Sequence, residues 1–143
     1  MKTIFTEIIE KTIPGHFIFE DDKYVSILDK YPIDYGHSLV IPKKPYEVIT
    51  DMPVNEVGEL FSLVPIIANA VKKATGADAF SLAQNNGKAA KQIIPHVHVH
   101  IIPRYSGKGT VWTKRSIPSD LELKELSEKL KIVFNLIIIR IIS

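Results

Sequence analysis

The spacing of apolar residues changes several times along this chain, and each change marks an element. Ile4, Phe5, Ile8, Ile9 and Ile13 recur at helical intervals, and Pro14-Gly15 closes the run, which predicts a short N-terminal helix. The next apolar runs, HFIFE (16–20), YVSIL (24–28) and HSLVIP (37–42), are short, β-branched or aromatic, and separated by acidic or Pro/Gly turns. That pattern predicts three strands of an antiparallel meander. From Asp51 the period becomes helical again, with Val57, Leu60, Phe61, Val64, Ile67, Ala68 and Val71 on one stripe. Asp51 is the expected cap, Pro53 falls in the first turn, and Lys72, Lys73 and Gly76 close the end. Pro65 lies inside this long helix and, lacking a backbone donor, predicts a kink. AFSLAQ (79–84) reads as a strand, NNGKAAKQ (85–92) as a loop and IPHVHVHIIP (94–103) as a further strand. Ser119 with Glu122 forms a capping-box pattern for a last helix carrying Leu123, Leu126, Leu130 and Val133 on one face. The elements give an α+β fold: an antiparallel sheet of about five strands with one long helix and a C-terminal helix.

Composition narrows the function classes. A chain of 143 residues favours one domain over 1–143, long enough to bury roughly two-thirds of its unfolded surface. Apolar residues at 45% and charged residues at 24% are those of an ordinary globular protein. The net charge of +2 comes from interspersed signs, without the basic block that nucleic acid would require. With no cysteine there are no disulfides, thiolate metal sites or cysteine nucleophiles. The N-terminus does not read as a signal peptide, and a cytoplasmic protein is the expectation. The C-terminal IVFNLIIIRIIS (132–143) is interrupted by Asn135 and Arg140 and falls short of the ~20 apolar residues of a membrane helix. A buried or oligomer-facing segment is expected there.

Three of the five histidines occupy alternate positions in HVHVHIIPR (96–104). On a strand, His96, His98 and His100 share one face, ~7 Å apart, while Val97, Val99 and Ile101 face the core. Four uses of such a face compete. It could be a plain polar surface, a zinc site with an open position, an anion-binding module, or a covalent catalyst. In the last, the middle imidazole attacks an electrophile such as phosphorus, and a second group holds the proton on its other nitrogen. A backbone carbonyl or His100 could hold that proton.

The string HVHVHII (96–102) resembles the signature of the histidine triad (HIT) superfamily, His-φ-His-φ-His-φ-φ with φ apolar. Residues 4–44 are similar to that family's N-terminal half and QNNGKAAKQIIPHVHVHIIPR (84–104) to its active-site hairpin. GTVW (109–112) and the last helix resemble bacterial members more loosely, so the resemblance centres on a catalytic core at about 4–104, with the C-terminal helix and apolar tail at 119–143. The Asn-containing loop is similar to the Hint branch. The resemblance implies a HIT-like fold and a homodimer paired through the long helix and the sheet edge. It also implies metal-independent hydrolysis or transfer at the α-phosphate of a purine nucleotide of AMP type, phosphoramidates above all. It implies no cofactor, no bound metal, no nucleic-acid partner and no membrane. A Fhit-like dinucleoside polyphosphate hydrolase and a weakly catalytic nucleotide-binding or signalling protein are the alternatives.

By the same resemblance His98 is the nucleophile that becomes nucleotidylated, His100 binds phosphoryl oxygens, and His96 lies against His37 in a relay. Asp29 falls where the family places an acid on the ribose hydroxyls. Asn85 and Gln92 match ribose or phosphate contacts, Ile93 stands at a position facing the scissile bond, and Phe5, Ile8 and Ile27 match apolar positions around the base. Read without the family, Asp29 is a turn residue, Phe5, Ile8 and Ile27 are core, and Asn85 and Gln92 are loop polars. His16 matches no role. The departures are Lys91 where glycine is usual, Ile93 where a hydroxyl is common, and Thr3, Thr6 and Pro45 where some bacterial members place zinc ligands. The lost hydroxyl implies slower protonation of a leaving amine.

Overall fold

The computed structural model describes residues 2–113 and 117–143. Five strands form one antiparallel sheet: β1 (Phe17–Glu20), β2 (Tyr24–Leu28), β3 (Ser38–Pro42), β4 (Ala79–Ala83) and β5 (Val99–Arg104). Their order across the sheet is β1-β2-β3-β5-β4, so β1 and β4 are the edges. The helices are α1 (Ile4–Ile9), α2 (Val54–Thr75) and α3 (Asp120–Ile142). The expected α+β architecture is present.

Strand alternation gives the sheet two different faces. On one, Val40, Val97, Val99 and Ile101 join Leu60, Val64, Ile67 and Val71 of α2 and Leu123, Leu126, Leu130 and Phe134 of α3 in the main core. On the other, Val25, Ile27, Leu39 and Ile41 meet Phe5 of α1 in a smaller cluster. The histidines emerge on this second face, beside α1. The main core fixes the sheet, and the thinner second layer carries the histidines beside α1.

Several local expectations are corrected. Asp51 does not cap α2: it ends a 3₁₀ turn at Ile49–Asp51, and Pro53 occupies the N-cap. A proline there removes a donor that would have no helical partner. Pro65 lies within α2 without ending it. Of the expected stripe, Phe61 is exposed and Val57 half-buried, while Leu60, Val64, Ile67, Ala68 and Val71 are buried. α1 stops at Ile9, short of Pro14, and Lys11 turns the chain with φ +65°. The Ser119–Glu122 capping box is formed, and α3 runs through the isoleucine-rich tail. Phe134 and Ile137 of that tail are buried, whereas Ile132, Leu136, Ile139, Ile141 and Ile142 are exposed. Among the described residues α2, not the tail, is the helix long and apolar enough to cross a membrane, and its apolar stripe is spent on the main core. His16, assigned no role, pairs with Asp120 at the start of α3 at 2.9 Å.

One glycine places the site. Gly36 enters β3 at φ +92°, and a Cβ there would lie 2.9 Å from Thr75 Cγ2 and 3.2 Å from Pro103 Cγ. The turn that delivers His37 is thus pressed against the end of α2 and against β5. Gly36→Ala is expected to destabilise the protein by about 1–3 kcal/mol through the left-handed φ and the contact. Denaturant unfolding at wild-type stability would contradict this.

Candidate active site

The register of β3 on β5 decides which histidines meet. Leu39 pairs with His100, so His37, two residues earlier on the same face of β3, lies diagonally beside His100. His37 Nε2 is 2.9 Å from His100 Nδ1. His96 lies four residues away on the other side of His98 and contacts different groups. The expected His96–His37 relay is therefore overturned: His37 acts on His100. The strand expected over 94–103 is also shorter, because β5 begins at Val99 and His96 and His98 lie in the extended segment before it.

Hydrogen-bond chemistry fixes the proton on each ring. His98 Nδ1 lies 2.7 Å from the His96 carbonyl. A carbonyl only accepts, so Nδ1 carries the proton and Nε2 keeps its lone pair. The backbone N–H of Ile33 donates to His37 Nδ1 at 3.0 Å. The His37 proton is therefore on Nε2, which donates to His100 Nδ1 and leaves the His100 proton on Nε2. His98 thereby keeps its lone pair on Nε2, and its neighbour His100 presents an N–H through Nε2. The His98 and His100 rings lie 4.8 Å apart centre to centre, close enough for one phosphoryl group to meet both.

His96 is fully buried and structural. Its Nε2–H donates to the Pro42 carbonyl at 2.8 Å, and its Nδ1 accepts from the Thr3 hydroxyl at 3.0 Å. The Phe5 ring stands edge-on to His98 with centroids 4.9 Å apart. Burial holds all four imidazoles in the neutral form: His37 is pushed down to about 3 and His100 to about 4, and His96 and His98 are also lowered. Desolvation is the first cause in each. The neighbouring imidazoles add to it for His37 and His100, and Arg104 adds for His37.

The remaining candidates divide. Asp29 Oδ1 accepts from the Tyr31 backbone at 2.8 Å, as a turn residue would, while its Oδ2 stands 3.6 Å from His37 Nε2. The carboxylate thus borders the histidine cluster. Phe5 and Ile27 are buried in the small cluster, and Ile8 is half-buried against it. Gln92 braces the loop: its Oε1 accepts from Gly87 N and its Nε2 donates to the Glu47 carbonyl, both at 2.7 Å. The amide thus ties Gly87 of the 84–92 loop to the Glu47 carbonyl, and one N–H and one lone pair of it remain uncommitted by these two bonds. Asn85 is half-buried on that loop, and Ile93 is 89% exposed. Lys91 adopts φ +62°, the left-handed conformation that a glycine would take without cost.

Asp29, His37 and His100 each bring a potential ligand atom within 4.8 Å of the others. The donor set does not suit a metal at His37. Its Nδ1 already accepts from Ile33, so Nε2 must keep the proton and has no lone pair to offer. The Ile33 amide, His37 and His100 form a proton-ordering chain, with the Asp29 carboxylate beside it. Sequence reasoning missed the Ile33 amide, the Pro42 carbonyl and the Thr3 hydroxyl. The two backbone groups carry no sequence signal, and Thr3 entered the sequence reading only as a departure at a zinc-ligand position, not as the partner of a ring 93 residues away.

The HIT domain family model matches residues 10–107. The chain belongs to the HIT family. Among curated relatives of this HIT protein, "Adenylylsulfatase HINT3" of Arabidopsis thaliana is 44% identical over 114 residues, 80% of this chain and 57% of that protein. "Adenosine 5'-monophosphoramidase hnt1" of Schizosaccharomyces pombe is 33% identical over 133 residues, 91% of this chain and 96% of that one. Among solved structures, a hypothetical histidine triad nucleotide-binding protein from Sulfolobus tokodaii strain7 superposes with a TM-score of 0.86 at 34% identity, covering 93% of this chain and 92% of that one. The HIT-like fold is thereby shared along nearly the whole chain.

The neutral imidazoles set a pH dependence of stability. His37 falls from 6.5 to about 3 on folding, so between those values the unfolded chain binds a proton that the folded chain does not. Its contribution is full above about pH 6.5 and is lost as the pH falls, by ~2–3 kcal/mol at pH 4.5. Unfolding free energy is expected to drop over this window in the wild type and less in His37→Asn. Equal slopes for the two proteins would contradict the assignment.

Proposed function

We propose that this protein is a metal-independent nucleotide hydrolase that cuts at the α-phosphate of an AMP derivative through a nucleotidyl-His98 intermediate. The observation that carries the reading is the His98 Nδ1 bond to the His96 carbonyl, which leaves Nε2 as a neutral nucleophile. Nε2 attacks phosphorus, a P–N bond forms and the bond to the leaving group breaks with its electron pair. The Nδ1 proton stays against the carbonyl, which stabilises the cationic adduct. His100 Nε2–H donates to a phosphoryl oxygen, where charge builds up. Water then attacks phosphorus, a P–O bond forms as the P–N bond breaks, one water proton is lost to solvent, and AMP leaves with the lone pair returned to Nε2. Asp29 would take the ribose hydroxyls, Ile8, Phe5 and Ile27 would back the base, and Asn85 would reach the ribose or phosphate. A second copy would pair along the β4 edge, where Phe80 and Leu82 are exposed.

The leaving group separates two substrate readings. An amine from a phosphoramidate must gain a proton, and exposed Ile93 has none to give, so that substrate should be slow. Sulfate leaves from adenylyl sulfate as a stable anion without one, the substrate class in the name of the Arabidopsis relative. With a chelator present, the wild type is expected to release AMP from adenosine phosphoramidate and faster from adenylyl sulfate, with His98→Ala slower by roughly 10³-fold or more. Cleavage of diadenosine polyphosphate alone would favour the Fhit-like reading. AMP binding without turnover of any substrate would favour a binding protein, and loss of activity to the chelator would sink metal independence.

A further inference from the structure

We propose that Thr3 is a positioning residue for the nucleophile: its hydroxyl donates to His96 Nδ1 and so fixes the residue whose carbonyl takes the Nδ1 proton of His98. Its kinetic consequence rests on the function proposed above, but its structural consequence does not.

The need for such an anchor follows from where β5 begins. The ladder starts at Val99, so the carbonyl of His96 is not held by strand pairing to β3. Its position depends on three local backbone and ring contacts: His96 N to Ile94 O, Val97 N to Tyr46 O and His96 Nε2 to Pro42 O, each 2.8 Å. The Thr3 hydroxyl is the fourth, at 3.0 Å, and it reaches the opposite edge of the ring from the Pro42 carbonyl. With Nε2–H committed to Pro42, Nδ1 needs a donor, and His96 is fully buried, so water does not replace it. A ring tilted away from Thr3 would carry its backbone carbonyl with it and loosen the bond that selects the His98 tautomer.

The same hydroxyl also accepts from Thr6 N at 3.3 Å as the N-cap of α1. Two residues further on, Phe5 packs edge-on to His98. One side chain therefore ties the start of α1 to both sides of the nucleophile.

Three variants separate the donor from the cap. Thr3→Ser keeps both, Thr3→Asp keeps the cap acceptor but has no proton to give, and Thr3→Val loses both. Long-range ¹H–¹⁵N spectra of the ligand-free protein read the His98 tautomer, and steady-state kinetics with an AMP derivative separate kcat from KM. The expected result is a single Nδ1–H tautomer in the wild type and Ser variant and a mixed population in the Asp and Val variants. The Asp variant is expected to fold but to unfold below the wild-type temperature, because the buried Nδ1 of His96 loses its donor, with kcat down about 10-fold or more and KM changed less than about threefold. An unchanged His98 tautomer in the Asp variant overturns the proposal, whatever happens to its activity. If the wild type turns over no AMP derivative, the proposed function fails while the tautomer comparison still decides the role of Thr3; if the Val variant does not fold, the Asp variant decides it.

Discussion

A single hydrogen bond, from His98 Nδ1 to the carbonyl of His96, fixes the tautomer of the middle ring on which the proposed chemistry depends. A neutral imidazole offers one lone pair, and whichever nitrogen holds the proton cannot attack. By committing Nδ1 to an acceptor that never donates, the chain points the lone pair of Nε2 outward at every pH where the ring is neutral. The cost is a segment that must hold a backbone carbonyl in place ahead of the strand ladder, and the contacts around residues 94–98 meet that demand.

The second ordered chain runs the other way. The Ile33 amide acts on His37, His37 on His100, and His100 is left as a donor. Two neighbouring rings thereby present opposite groups, a lone pair on His98 Nε2 and an N–H on His100 Nε2, without either being charged. Burial makes this possible by pushing every ring in the cluster toward neutrality, so that repulsion between imidazolium ions never arises. The apolar face opposite the histidines supports both chains, since Val97 in the extended segment and Val99 at the start of β5 are locked into the main core with α2.

The fold was readable because it rests on periodicity. All five strands, the long helix and the capping box of α3 follow from alternation, helical spacing and turn residues. The three alternating histidines and the identity of His98 as the middle ring were equally plain. The pairing of His37 was not. It depends on the β3–β5 register, and a shift along the strand would have brought His37 to a different ring. The bracing of Gln92 was hidden for a related reason, since its buried amide between Gly87 and Glu47 brings together residues far apart in sequence. Asp51 looked like a cap by residue type, but the 3₁₀ turn before Pro53 moved it out of position.

The central claim is that His98 Nε2 carries the nucleotidyl group. Acid-free quenching of the wild type during turnover of adenylyl sulfate, followed by mass spectrometry of the peptide containing residues 96–104, tests it directly. The account predicts an AMP-sized adduct on His98, labile to acid and absent from His98→Ala. Turnover with no adduct at any quench time, or an adduct located on His96 or His100, would contradict it.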